Sequence, residues 1–320
     1  MTKSVLITGA AGFVGQHLAE QLCEDGAARA EGVAVHGVDL PGIPAPADLY
    51  AEWFQCDVTD AAHVAAVIGQ VRPDYVFHLA ALLKSESLVD LLRINVVGTQ
   101  NVLDALVEVK PEARVLVTGS SAEYGLVHPG ELPVREENEL RPLSPYGVSK
   151  AAQSLLAVRY AYRYSMTVIR TRTFNLTGPG EPDSLVCSAF AKQIAEIEMG
   201  KSSPTLKVGN LGTERDFTDV RDAVRAYWLA IRHGKAGQVY NVSSGVATPI
   251  RDMLDTLLAM ASTSTRIQIQ ELAERRTAWD VPSQLGNAAR LSEMTGWKPE
   301  IPLKQSLKDN LDSWRSSLAK

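Results

Sequence analysis

Residues 4–18 read SVLITGAAGFVGQHL, and this stretch decides the fold. Its first residues form a mostly apolar run, which is typical of a strand covered on both faces. Three glycines, Gly9, Gly12 and Gly15, then lead into an amphipathic segment. Glycine at such a turn lets the backbone approach a pyrophosphate, and the N-terminus of the following helix attracts the phosphates. We therefore predict a dinucleotide-binding turn here, in preference to a glycine turn of purely structural use.

The first half of the chain repeats this alternation of strand and helix. Amphipathic segments separate five further β-rich runs, at 33–40, 53–58, 74–81, 114–121 and 167–175. This alternation predicts right-handed crossovers and an α/β, Rossmann-type doubly wound parallel sheet of about seven strands. After about Asn175 the pattern loosens, which indicates a smaller C-terminal substrate-binding lobe. We expect the NAD-binding domain to comprise residues 1–175 and about 206–244, and the lobe to comprise about 176–205 and 245–320.

Composition excludes several classes of function. The 320 residues carry a net charge of −5 with acids and bases well mixed, so no basic patch favours nucleic acid or anionic lipid. No apolar run is long enough to span a membrane, and the first strand begins too early for a signal peptide. Cys23, Cys56 and Cys187 lack the spacing of metal ligands, so we expect no metal site and three reduced core cysteines. These features predict a soluble cytoplasmic protein.

Two aspartates follow the glycine turn at the ends of predicted strands. Asp39 ends the second strand, where a carboxylate accepts hydrogen bonds from the adenosine ribose and repels an added 2′-phosphate. The residues after it, LPG at 40–42, include no arginine to receive that phosphate. We therefore expect NAD(H), with NADP(H) second. Asp57 ends the third strand and either reaches the adenine amino group or caps a helix.

Tyr146 and Lys150 stand four residues apart at the start of a predicted helix, in SPYGVSKAAQSLL. This spacing places both side chains on one helix face. An ammonium group beside a tyrosine lowers the pKa of the phenol, so we expect a usable acid–base group. Most such pairs are solvated helix residues, but Ser120 and Ser121 lie at the carboxyl end of a predicted strand, where ligands bind in open α/β sheets. Serine, tyrosine and lysine behind a nucleotide turn predict hydride-transfer chemistry.

These motifs together resemble the extended short-chain dehydrogenases/reductases of the nucleotide-sugar branch, over nearly the whole chain. The resemblance rests on the glycine turn and on HLAA, NVVGT, SPYGVSK and TFNLTGPG, at 78–81, 95–99, 144–150 and 173–180. FAKQIAEIEMG, LKVGNLGTERDFTDVRDAVRAYW and VYNVSSG are most similar to the GDP-6-deoxy-4-keto-mannose reductases and the related GDP-mannose 4,6-dehydratases. Two departures, NLTGPG at 175–180 and RTAWDVP with Arg276 and Trp279, leave the sugar and the base open.

The resemblance implies a nucleotide-diphosphate sugar as substrate and roles for individual residues. Tyr146 would protonate the new alkoxide, Ser120 would face the sugar, and Lys150 would hold the nicotinamide ribose. Asn175 and Arg215 would bind the diphosphate, although an ion pair of Arg215 with Asp216 or Asp219 is an alternative. The implied cofactor contacts are Gly9, Gly12, Phe13, Val14, Gly15, Asp39, Leu40, Asp57, Val58, Leu79, Ala80, Ala81, Tyr146, Lys150 and Phe174. The implied substrate contacts are Ser121, Asn175, Val186, Lys192 and Arg215.

One position separates the related activities. The 4,6-dehydratases carry a glutamate two residues after the catalytic serine or threonine, and this chain has Ala122 there. Glu123 follows, and it would face the opposite way if the strand continued. The resemblance therefore favours a 4-keto reductase over a dehydratase. A 4-epimerase that retains its NAD remains open, because it uses the same three residues, and a non-catalytic NAD-binding protein is disfavoured by their presence.

The resemblance also predicts a homodimer. Helices near 86–108 and 146–164 present apolar and aromatic side chains, and in this family the corresponding helices pair as a four-helix bundle.

Overall fold

The computed structural model describes residues 3–272 and 281–319, and a parallel sheet lies at its centre. The strands are β1 Ser4–Thr8, β2 Ala34–Asp39, β3 Glu52–Gln55, β4 Tyr75–His78, β5 Arg114–Ser120, β6 Thr167–Thr173, β7 Asn175–Thr177, β8 Thr205–Val208, β9 Glu214–Asp219, β10 Val239–Val242, β11 Ala247–Pro249, β12 Gln268–Glu271 and β13 Ser283–Gln284. The helices are α1 Phe13–Glu24, α2 Gly26–Ala30, α3 Ala61–Val71, α4 Leu88–Leu92, α5 Gly98–Val109, α6 Pro145–Arg163, α7 Val186–Glu198, α8 Val220–His233, α9 Ile250–Leu258, α10 Ala289–Thr295 and α11 Leu303–Leu318. A π-helical segment, Arg93–Val97, joins α4 to α5.

Seven strands form the central sheet in the order β10-β6-β5-β4-β1-β2-β3, and every pairing between them is parallel. Side chains of β1 are buried on both faces, which explains its unbroken apolar sequence. One core contains α1 and α8 with residues such as Phe77 and Trp228, and the other contains α3, α5 and α6. The expected doubly wound fold is confirmed.

A third core belongs to the C-terminal lobe. It joins α7, α9 and α11 through buried side chains such as Phe190, Leu254 and Leu311, and it includes residues of β8 and β9. The structure therefore groups 205–219 with the lobe, whereas we expected 206–244 to belong to the nucleotide-binding half. Conversely, Leu291 of α10 and Trp297 pack on the core of the central sheet. The difference arises because the apolar faces of short strands do not reveal which layer covers them.

The structure corrects one expectation about the cysteines. Cys56 and Cys187 are buried, but Cys23 is exposed near the end of α1, and all three are free. In residues 3–272 and 281–319 no helix is long and apolar enough to cross a bilayer. Within the same ranges, no cluster of three or more His, Cys, Asp or Glu side chains is arranged to hold a metal ion.

Candidate active site

The glycine turn lies where the order of the sheet reverses, between β1 and β4. Gly9 has φ +71°, and a Cβ on it would lie 2.9 Å from the backbone nitrogen of Ala80. A Cβ on Gly15 would lie 2.4 Å from the carbonyl oxygen of Gly9. Both positions therefore require glycine, because backbone packs against backbone here. Phe13 and Val14 form the first turn of α1, whose N-terminus has no side-chain cap. Free N–H groups at that end suit a pyrophosphate.

Asp39 lies beside this turn at the end of β2. One oxygen of its carboxylate accepts a hydrogen bond from the backbone N–H of Ala11 at 2.8 Å, and the other accepts from Leu40 at 2.8 Å. The carboxylate thus fixes the glycine turn and stands next to the phosphate-binding end of α1. The side chain of Leu40 is exposed.

The remaining predicted cofactor residues follow β3 and β4. Asp57 does not cap a helix; it accepts hydrogen bonds from the backbone and hydroxyl of Thr59, both at 2.8 Å, and Asp60 caps α3 instead. Val58 is buried against Gly98. Leu79, Ala80 and Ala81 follow β4 directly, and all three are partly buried. They border the glycine turn through Ala80, so the structure brings these two loops together.

The predicted serines mark the end of β5. The strand ends at Ser120, and a 3-10 turn follows at Ser121–Glu123, so the chain does not continue as the strand we considered. Glu123 folds back, and its carboxylate accepts a hydrogen bond from the backbone N–H of Ser120 at 2.9 Å. It also pairs with Arg172 of β6 at 2.9 Å and is fully buried. The Glu123 carboxylate is therefore held by Arg172 and the backbone of Ser120 and is closed to solvent.

Helix α6 begins with a strong start signal. The Ser144 hydroxyl accepts a hydrogen bond from the backbone N–H of Gly147 at 3.0 Å, and Pro145 occupies the first helical position. Tyr146 comes next, and its phenol lies beside the Ser120 side chain, so the structure brings the two predicted catalytic residues together. This contact depends on Gly147, because a Cβ there would lie 2.4 Å from the carbonyl oxygen of Ala122.

The acid–base groups differ from expectation in one respect. Burial raises the pKa of Tyr146, whereas we expected Lys150 to lower it. The reason is desolvation, which disfavours the phenolate more than its surroundings stabilise it. Burial lowers the pKa of Lys150 to about 8, and the nearby carboxylate of Glu123 opposes that shift. At neutral pH the Tyr146 phenol is therefore protonated, and Lys150, one helical turn further along α6, carries an ammonium group.

A buried polar network connects the loop after β4 to α6. Asn95 exchanges hydrogen bonds with the backbone of Leu82, at 2.7 and 3.0 Å, and donates to the Ser149 hydroxyl at 2.9 Å. Ser149 in turn donates to the carbonyl of Tyr146 at 2.8 Å. The cofactor side of the cleft and the start of α6 are thus held in one arrangement.

His78 forms the deeper part of this network. Its Nδ1 contacts the Thr8 hydroxyl at 2.8 Å and its Nε2 contacts the Thr99 hydroxyl at 2.9 Å. Thr99 already donates its proton to the carbonyl of Asn95, so His78 donates from Nε2. Burial, together with the charge of Lys150, lowers the pKa of His78 to about 3. The imidazole is therefore neutral.

The predicted substrate residues lie where the lobe meets the sheet. Asn175 donates to the carbonyl of Asp216 at 3.2 Å. Arg215 donates to the carbonyls of Glu214 and Val281 at 2.8 and 2.9 Å. Its two proposed carboxylate partners are committed elsewhere, Asp216 to Ser244, Gly245 and Gly286, and Asp219 to Arg221.

The other residues that we predicted to contact the substrate or the cofactor are mostly engaged in contacts within the protein. Lys192 forms an ion pair with Asp183 at 2.6 Å and lies over the ring of Trp314. Phe174 is buried in a small cluster with Tyr124 and Val134, so its side chain is part of the core. Val186 begins α7, and Ser121 is buried beneath the turn. Arg276 and Trp279 lie outside the described residues.

Comparison with known proteins agrees with this geometry. A family described as GDP-mannose 4,6 dehydratase matches residues 6–310. The chain belongs to this family. It is 36% identical to the GDP-6-deoxy-D-mannose reductase of Pseudomonas aeruginosa, over 99% of this chain and 98% of that protein. The expected membership of the extended, nucleotide-sugar branch is confirmed, and the protein is an enzyme of this type.

Solved structures show the same architecture. The RMD protein of Pseudomonas aeruginosa, complexed with NADPH, superposes with a TM-score of 0.83 at 33% identity, covering 98% of this chain and 99% of that one. The UDP-glucose 4-epimerase of Thermus thermophilus, complexed with NAD, gives a TM-score of 0.83 at 26% identity and the same two coverages. These two proteins thus carry different nicotinamide dinucleotides, NADPH in the first and NAD in the second.

Sequence reasoning missed the residues that support the site. The spacing Ser120-x-x-Glu123 is that of a capping box, in which a serine and a glutamate cap the same turn reciprocally, and it was a readable signal for the fold-back of Glu123. Asn95 and Ser149 carried no such signal, because their partners are distant in the chain.

The close approach at Gly147 generates a prediction. Gly147→Ala should lower turnover about 10- to 100-fold, because the added methyl group displaces the turn that carries Ser120 from Tyr146. NADH binding, measured by nicotinamide fluorescence, should change little. The matched control is Gly69→Ala in α3, where a Cβ meets nothing within 4 Å. Wild-type turnover in Gly147→Ala would show that the contact does not set the geometry of the site.

Proposed function

We propose that the protein reduces the 4-keto group of a GDP-4-keto-6-deoxyhexose. The observation that carries this proposal is the approach of the Tyr146 phenol to Ser120, one helical turn before the buried Lys150, near the point where the order of the parallel sheet reverses. The similarity to GDP-6-deoxy-D-mannose reductase over 99% of the chain supports the choice of substrate class.

The site residues have distinct roles in this reaction. A bound nicotinamide dinucleotide supplies the hydride that adds to the fourth carbon of the sugar. Ser120 donates a hydrogen bond to the carbonyl oxygen and orients it. Tyr146 transfers its phenolic proton to the oxygen as negative charge develops there, and the ammonium of Lys150 stabilises the phenolate that remains. The raised pKa of Tyr146 suits this direction, because the phenol is protonated before the reaction.

The same geometry argues against a dehydratase. Elimination of water needs a base next to the sugar, and Ala122 offers none. The adjacent carboxylate of Glu123 is held by Arg172 on the far side of the turn. For the diphosphate of the substrate we propose Asn175 and Arg215. Asn175 donates a hydrogen bond to the carbonyl of Asp216, so it lies near the preceding residue of β9, Arg215.

A single assay tests the activity. The pure protein should oxidise NADH or NADPH when GDP-4-keto-6-deoxy-mannose is supplied, and it should yield no keto sugar from GDP-mannose and NAD. Tyr146→Phe should reduce the rate about 10²–10⁴-fold and leave cofactor binding intact, since only the phenolic proton is lost. Absorbance at 340 nm and analysis of the product sugars measure both reactions.

Two different results would contradict the proposed reductase activity. Dehydration of GDP-mannose by the pure protein would show that another residue acts as the base. Conversion of a sugar at its fourth carbon without net consumption of NADH would identify a 4-epimerase, the activity of the Thermus relative.

We further propose that NAD(H) is preferred over NADP(H), because the Asp39 carboxylate stands beside the phosphate-binding turn. Asp39→Asn should raise the affinity for NADPH relative to NADH at least about tenfold, since it removes the repulsive charge. The asparagine retains an acceptor for the Ala11 N–H. Asp39→Asn combined with Leu40→Arg should shift the preference further. The ratio of the two dissociation constants is the measurement, and a wild type that already prefers NADPH would contradict this role of Asp39.

A homodimer through α4, α5 and α6 completes the proposal. Apolar side chains on α4 and α6 are exposed, among them Val89 at 73%, Leu155 at 65% and Tyr162 at 73%. Sedimentation should show a dimer for the wild type, and Leu155→Glu should shift it toward monomer. Val246→Glu, an exposed position outside these helices, is the control. A wild type that remains monomeric at high concentration would exclude this interface.

A further inference from the structure

A fully buried ion pair lies directly behind the proposed catalytic residues. Glu123 is 0% exposed, and one of its oxygens lies 2.9 Å from Nε of Arg172. Arg172 is also bound by the Tyr124 hydroxyl at 3.2 Å and by the carbonyl of Glu136 at 3.0 Å. A buried pair of this kind costs desolvation energy and is often no more stabilising than two apolar side chains. We therefore infer that this ion pair serves a purpose other than stabilising the fold.

Sheet register creates the space for this pair. Gly119 of β5 is paired with Arg172 of β6. A Cβ on Gly119 would lie only 2.1 Å from an oxygen of Glu123, so the carboxylate occupies the space that a side chain would fill. From there it reaches the backbone N–H of Ser120 at 2.9 Å. The carboxylate thus holds the residue whose hydroxyl meets Tyr146.

The same carboxylate acts on the charge of Lys150. Among the described residues, the groups around Lys150 are Glu123 from the turn, His78 from β4 and Tyr146 on its own helix. Arg170 and Arg172 lie on β6, and Tyr227 of α8 faces Tyr146. His78 is neutral, because burial lowers its pKa to about 3. Burial lowers the pKa of Lys150 as well, and the opposing electrostatic influence is that of Glu123.

We propose that Glu123 is a positioning residue for 4-keto reduction, which holds Ser120 in place and keeps the buried Lys150 protonated when Tyr146 gives up its proton. This inference rests on the proposed function. It gives Glu123 a role other than that of a base, since its carboxylate never reaches the sugar. Arg172 holds that carboxylate in place beside the backbone N–H of Ser120.

Glu123→Gln tests the electrostatic part of the role. Glutamine keeps an acceptor for the Ser120 N–H but removes the charge, so the pKa of Lys150 should fall by at least about one unit. NMR of protein labelled with ¹³C at the lysine Cε, with the signal assigned through Lys150→Met, measures that pKa without any substrate. The alkaline limb of the kcat profile should move to lower pH by the same amount. Glu131→Gln breaks the partly buried ion pair with Arg141 and serves as the matched control, with neither the pKa of Lys150 nor the kcat profile changed.

A double variant separates this role from a purely structural one. Glu123→Leu combined with Arg172→Leu replaces the whole ion pair by apolar side chains. If the pair serves packing alone, the double variant should be about as stable to unfolding as the wild type. We expect a folded protein in which the pKa of Lys150 is lower than in the wild type. Its kcat should be reduced at every pH, because the acceptor for the Ser120 N–H is also lost.

A wild-type pH profile in the double variant would overturn the proposal. So would an unchanged pKa of Lys150 in Glu123→Gln. A shifted pKa of Lys150 in a protein that reduces no GDP sugar would instead reject the proposed function and leave the role of Glu123 standing.

Discussion

The first turn of α6 rests on the turn after β5 so closely that the contact allows no side chain at Gly147. The carbonyl oxygen of Ala122 occupies the space where a Cβ would lie. This backbone contact brings Tyr146 to Ser120, and the N-cap Ser144 and Pro145 fix the direction in which the helix leaves. Precise placement matters here, because proton transfer requires heavy atoms within hydrogen-bonding distance. The glycine turn after β1 is packed equally closely, because Gly9 lies against the backbone of Ala80.

The burial of Tyr146 and Lys150 determines in which direction their pKa values shift. Burial raises the pKa of Tyr146 and lowers that of Lys150, so each group is driven toward its neutral form. A neutral tyrosine is ready to donate a proton, but a neutral lysine is of less use beside a phenolate. The carboxylate of Glu123 opposes the second shift. Its charge is tolerated in the interior because Arg172 and the Ser120 N–H satisfy it.

The lobe is attached to the sheet by polar contacts that converge on one carboxylate. Asp216 of β9 accepts hydrogen bonds from the backbones of Ser244, Gly245 and Gly286, which joins three separate segments of chain. Its neighbour Arg215 and the nearby Asn175 therefore have a rigid base at the edge of the cleft. The residues proposed for the diphosphate and those proposed for hydride chemistry thus lie in different parts of the chain, and the relatives of this chain are named for different nucleotide sugars.

The sequence by itself determined the doubly wound sheet, the glycine turn and the placement of Tyr146 and Lys150 on one helix face. These features are local, because apolar runs mark buried strands and spacings of three or four residues define a turn or a helix face. Only the tertiary structure decided where Glu123 points, that β8 and β9 belong to the lobe, and that Cys23 is exposed. Glu123 and Arg172 are 49 residues apart, and they meet because the register of β5 and β6 places Arg172 beside Gly119. A side chain's environment depends on which distant segments pack around it, and no local pattern in one sequence records that packing.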